Sequence, residues 1–242
     1  MSAAALVLLL VFALGASFTQ RVTGFGFGIF IMTVLPFLMP SYGEATALSG
    51  MLAVISVTIT LLRMWRYIQW RKLLPILVTF LLVSFFSVRL VARVDSNLMK
   101  RVLGCILVVV SVYFFFFSSK VRIEPTFGVQ VGMGTLSGLM GGLFAMQGPP
   151  AVIYFLSCTD TKEQYISLIS AYFVIGNLMM TAFRAMSGFV TPFVCKAWLA
   201  AFPAVLAGLW LGGRVYSRMP IETIRKAAYL FMAVSGVVAL VR

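Results

Sequence analysis

Two stretches of this chain hold residues suited to ligand chemistry. Thr23-Gly24-Phe25-Gly26-Phe27-Gly28 runs on toward Pro36, and a glycine-rich segment at 138–142 runs on to Gln147-Gly148-Pro149-Pro150. Proline belongs at the first positions of a helix, where the N–H it lacks would have no partner. Pro149 and Pro150 therefore mark a helix start. Such a start presents unpaired N–H groups and a partial positive charge, and it binds anions without a formal cation. Glycines let an anion come close to the backbone. Gly26 and Gly28 offer the same for a helix entering residues 29–35. Two opposed starts, one built on Gly24, Gly26 and Gly28 and the other on Gln147, Gly148, Pro149 and Pro150, make one candidate anion site. A dinucleotide-binding reading of the first fails on glycine spacing and on the lack of a preceding strand.

Polar side chains inside apolar runs are costly in hydrocarbon and face a cavity or a neighbouring helix. Gln20 and Arg21 directly precede the first motif, and Thr23 opens it. Arg21 has two roles open to it, snorkelling to the membrane surface or attracting the anion. Asn177 and Arg184 are seven residues apart, about two helical turns, so they share a face with Thr181 between them. Asn177 either bonds a neighbouring helix or lines the substrate cavity. Gly132, Gly134, Gly138, Gly141 and Gly142 read as packing glycines that let helices approach.

The chain has no His and three cysteines without zinc or redox spacing. Cys105, Cys158 and Cys195 read as buried small hydrophobes. All six acids fall near the ends of apolar runs, and no phosphate-binding loop is present. These residues point to no cofactor, no metal and no enzyme.

Composition sets the solvent. Of 242 residues 62% are hydrophobic and 10% charged, with mean hydropathy +1.06, against about 25% charged in soluble domains. The net charge of +13 is carried by basic residues that punctuate apolar runs, which argues for a lipid bilayer as partner and against nucleic acid. Charge-free runs at 1–20, 45–62, 73–88, 102–119, 164–183, 197–213 and 227–241 have about the length of membrane-spanning helices. The first lacks the positive start of a signal peptide and reads as an uncleaved helix. Residues 125–159 carry no charge, too long a run for one helix. Gly141-Gly142 and the paired prolines divide it into two shortened helices with a turn at 145–148.

The expected fold is an all-α polytopic membrane protein with about eight to ten membrane segments, some short or broken. Arg89-x3-Arg93 with Lys100-Arg101 recurs as Arg214-x3-Arg218 with Arg225-Lys226, each position offset by 125. The order of segment types recurs too, which predicts two homologous repeats, 1–118 and 127–242, joined by a linker at 119–126. Each repeat has five apolar segments, the first two short. An odd count inverts the second repeat, an arrangement common in secondary transporters. Twelve of the 19 basic residues fall on the side of Arg21 and the 63–72 loop, and seven, Arg184 among them, on the other. The positive-inside rule then places the first side in the cytoplasm and the termini in the periplasm.

With the "tGfGfg…P" pattern at 23–36, the "G…gG…GPP.v.y.l" pattern at 138–156 and the basic Trp70-Arg71-Lys72 loop, the chain resembles the sulfite exporter TauE/SafE family. The resemblance covers nearly the whole chain. It implies a secondary transporter that moves sulfite, sulfoacetate or a related organosulfonate across the bacterial inner membrane. On that expectation Gln20, Arg21, Thr23, Gly24, Gly26, Gly28, Gln147, Gly148, Pro149, Pro150, Asn177 and Arg184 contact a small anion, and a homodimer is compatible. The competing expectation is a non-transporting membrane assembly or accessory subunit, which explains packing glycines but not paired motifs.

Overall fold

The computed structural model describes residues 1–117, 124 and 126–215, and every regular element among them is helical. Helix α1 (Ala3–Thr23) stops at Gly24, whose left-handed φ of 83° lets its N–H donate to the Gln20 carbonyl at 2.9 Å. Two short helices follow, α2 (Phe27–Ile31) and α3 (Leu35–Leu38). A single helix through 29–35 is therefore not what forms. Pro36 lacks the N–H that would reach the Met32 carbonyl, and its ring would clash there, so the chain breaks between them.

Helix α4 (Tyr42–Met64) starts on a capping box. Ser41 Oγ accepts from the Glu44 N–H at 3.2 Å and Glu44 Oε2 accepts from the Ser41 N–H at 3.1 Å. Helices α5 (Trp70–Val91), α6 (Ser96–Phe117), α7 (Phe127–Phe144) and α8 (Gly148–Cys158) come next, then α9 (Lys162–Met186) and α10 (Pro192–Val215). The break expected in the 125–159 run lies at 145–147. Ala145 takes a left-handed φ of 57° and its N–H donates to the Gly141 carbonyl at 3.0 Å, the bond of an αL helix stop, while the Met146 N–H donates to the Met140 carbonyl at 3.1 Å. Helix α7 is longer than expected, and α1 is also a full-length helix. Both are long and apolar enough to cross a membrane, as are α4, α5, α9 and α10.

Helices α4 and α9 form the central pair, with α5 packed on α7 to one side and α1 on α10 to the other. Small residues set these approaches. A Cβ on Gly134 or Gly138 would come within 2.9 Å of the α5 carbonyls of Ile76 or Phe80, and one on Gly142 would lie 3.0 Å from that of Ser84. Gly212 would meet the Phe18 carbonyl of α1 at 3.0 Å. Packing is thus the role of Gly134, Gly138 and Gly142, whereas Gly132 has open space around it. Large apolar side chains such as Leu62, Phe86 and Leu199 point outward, and Trp65, Tyr67 and Trp70 are exposed at the α4–α5 connection, as an interfacial aromatic belt requires.

Two expectations need correction. Cys158 is buried, but Cys105 and Cys195 lie exposed on the helix surfaces. Arg184, counted with the loop cations, is 1% exposed within the bundle. The linker at 119–123 and 125, the last apolar run at 227–241 and the repeated cations Arg218, Arg225 and Lys226 lie outside the described residues.

Candidate functional site

The two glycine–proline stretches meet. A Cβ on Gly28 would clash with the carbonyl oxygen of Ala145, so the backbones of the two motifs are in contact. Beside this contact lies a small cavity of about 20 Å³ lined by Gln20, Gly26, Gly28, Gln147, Gly148 and Asn177. It has room for about one water. Phe27, Ile29, Ala53, Val57, Met146 and Phe173 supply its apolar wall.

Buried polar groups hold the second turn in place. Gln147 Nε2 donates to Asn177 Oδ1 at 2.9 Å, and Asn177 Nδ2 donates to the Phe173 carbonyl at 2.8 Å. The Ser137 hydroxyl donates to the Gln147 carbonyl and accepts from the Tyr172 hydroxyl at 2.7 Å. Ser137 and Tyr172 were not among the sequence candidates. Ser137 follows the same four-residue α7 ladder as the glycines only approximately, and Tyr172 reads as one more apolar aromatic.

The α8 start differs in detail from the expected row of N–H donors. Pro149 and Pro150 have none, so Gly148 carries the only N–H of the first three residues. The helix dipole remains, and the Gln147 amide offers a second N–H beside it. Pro149 and Pro150 are buried in the first turn and do not line the cavity. At the far end of α8, Lys72 Nζ donates to the Cys158 carbonyl at 2.7 Å, and the Tyr154 hydroxyl donates to the Lys72 carbonyl at 3.2 Å. A cation on the negative helix end favours the same charge alignment that favours an anion at Gly148.

In the first motif, Gln20 Oε1 accepts from the Phe27 N–H at 3.0 Å, so the start of α2 is occupied by the protein's own amide. Thr23 is buried with its hydroxyl turned to the backbone, 2.7 Å from the Phe25 carbonyl. Gly24 ends α1, Gly26 is left-handed at φ 94°, and Gly28 makes the contact with Ala145.

A larger vestibule of about 520 Å³ adjoins this site. Gln20, Arg21 and Thr23 of α1 and the Gly24 that ends it line this space, with Ser56, Thr60 and Arg63 on α4 and Glu163, Tyr165 and Ser170 on α9. Arg21 is half-buried and its Nη1 donates to Thr60 Oγ1 at 3.3 Å. Gln20 and Val57 belong to both linings, so the vestibule and the cavity share these two side chains as a common wall. Arg184 lines neither.

These features define a polytopic α-helical membrane protein with a small cavity, part polar and part apolar, where its two glycine–proline stretches meet. The chain belongs to the sulfite exporter TauE/SafE family, whose family model matches residues 8–239. A relative from Cupriavidus necator named "Probable sulfite/organosulfonate exporter TauE" is 22% identical over 221 residues, covering 89% of this chain and 86% of the relative. No solved structure matches the chain.

Proposed function

We propose that the protein is a secondary transporter that expels a small sulfur oxyanion or organosulfonate across the bacterial inner membrane. The carrying observation is the meeting of Gly28 with the 145–148 turn around the buried Gln147–Asn177 pair, next to a vestibule lined by Arg21 and Arg63. The name of the Cupriavidus necator relative supports the same substrate class.

The anion enters from the vestibule when the Gln20 amide swings away from the Phe27 N–H. That motion enlarges the cavity and exposes a further donor to the substrate. Gln147, Asn177 and the α8 start then hold the anion by amide dipoles and a fractional helix charge. Such a site binds firmly enough to select an anion and loosely enough to release it. With the basic 63–72 loop in the cytoplasm, this is the inward-facing state and the termini are periplasmic.

The helix packing supports the reading as two inverted repeats, 1–118 and 127–242. The α5–α7 pair is the counterpart of α10–α1, and α4–α9 pairs with itself. Arg89 lies 4.0 Å over the Phe85 ring and Arg214 lies 3.7 Å over that of Trp210, with both residues of the pair offset by 125.

An inside-negative potential of about 100 mV favours expulsion of each net negative charge by about 2.3 kcal/mol. Purified protein in vesicles preloaded with sulfite or sulfoacetate should release it faster under an inside-negative potential than at zero potential. Release no faster than from protein-free vesicles would refute the transport reading.

A further inference from the structure

We propose that Arg184 forms a second anion station on the closed side of the cavity, for the oxyanion head of the substrate after it leaves Asn177. The proposal deepens the transport reading and rests on it.

The residues along α9 fall in order. Glu163 and Ser170 line the vestibule, Phe173 and Asn177 line the cavity, and Arg184 lies seven residues further on, about 10 Å along the axis. Helix α4 gives the same order in reverse, with Arg63, Thr60 and Ser56 on the vestibule, Ala53 on the cavity, and Gly50 beyond it. Gly50 marks where the α9 ladder converges. A Cβ there would lie 2.9 Å from Arg184 Nη1, 3.5 Å from Thr181 Oγ1 and 3.9 Å from Asn177 Oδ1.

Arg184 is 1% exposed. Its Nη2 donates to the Gly141 carbonyl at 2.9 Å, while Nε and Nη1 have no hydrogen-bond partner among the described residues. The buried hydroxyls of Thr181 and Tyr42 have none either, and Tyr42 lies within electrostatic reach of the guanidinium. A buried guanidinium without a counter-charge is strongly disfavoured, and removing its partner is what makes such groups costly. Membrane proteins place charges of this kind on substrate paths. An oxyanion supplies both the missing charge and several acceptor lone pairs at once, and the planar fork of an arginine suits it. The Nη2 bond to Gly141 ties α9 to the end of α7, so an anion that draws the guanidinium away also loosens the closed side.

The test compares full-length wild type, Arg184→Met and Arg184→Lys, each for sulfite flux in proteoliposomes and for melting temperature in detergent with and without sulfite. Arg184→Met should lower flux by about tenfold or more. Its melting temperature without anion should be unchanged or higher, because an uncompensated buried charge has been removed, and sulfite should still raise it through the intact first cavity. Arg184→Lys should keep part of the flux. If Arg184→Met melts several degrees lower, Arg184 is a structural anchor on Gly141 and the station is wrong. Normal flux in a folded Arg184→Met protein likewise overturns it. Absence of flux in the wild type overturns the transport reading, and the station with it.

Discussion

Replacing Gly148 with leucine should abolish sulfite flux in proteoliposomes and leave the protein folded. The geometry around Gly148 separates space kept for a ligand from space required by packing. A Cβ there would lie 3.6 Å from Phe173 Cζ and 3.8 Å from the Phe25 Cβ, which are ordinary contacts. Alanine therefore fits, and helix packing alone does not demand glycine. A leucine side chain extends beyond that methyl into a cavity of only about 20 Å³, beside the one N–H at the α8 start. Gly148→Ala should fold normally and lose part of its flux, whereas Gly148→Leu should elute as the same folded species with flux at the protein-free level. If folded Gly148→Leu transports normally, the second motif serves packing and the assigned site is lost.

Gly28→Ala should have the largest structural effect of any single added methyl in the site. The new Cβ would clash with the Ala145 carbonyl oxygen, a backbone atom fixed by the left-handed turn that ends α7. Neither partner is the flexible end of a side chain, so the two turns must separate. Overpacking costs about 1–3 kcal/mol, and this substitution belongs at the upper end. Flux should fall with stability. Gly24→Ala supplies the contrast. Its left-handed φ of 83° carries a strain of about 1–2 kcal/mol for a non-glycine residue, but nothing among the described residues lies within 4 Å of the added carbon. It should therefore melt lower and still transport. Equal stability and flux for Gly28→Ala and wild type would show that the two motifs do not touch.

The parts of the site legible in the sequence were those governed by local backbone rules. Paired prolines after Gly141-Gly142 cannot sit inside one helix, and the turn lies at 145–147. Charge-free runs gave the long helices because hydrocarbon admits few alternatives. The first motif was read as one unit, yet its glycines act separately as a helix stop, a left-handed turn and a contact with Ala145. Only the last depends on the other half of the chain, and no local pattern distinguishes it. Pro36 was noted only as the residue the first motif runs into, and its capacity to break the helix expected through 29–35 was overlooked. Ser137 on α7 and Tyr172 on α9 support Gln147 through hydrogen bonds between helices that exist only in the folded bundle. Arg184 looked like a helix-end cation because charge position along the chain says nothing about depth within it.

The most direct test of a shared anion site is a crystal structure of the active, full-length protein soaked with selenite. This pyramidal oxyanion resembles sulfite, and its selenium scatters anomalously. An anomalous peak is expected between Gly28 and Gly148, within hydrogen-bonding distance of the Gln147 amide and the Gly148 N–H. A peak elsewhere in the bundle, with the 145–148 turn unoccupied, would contradict it.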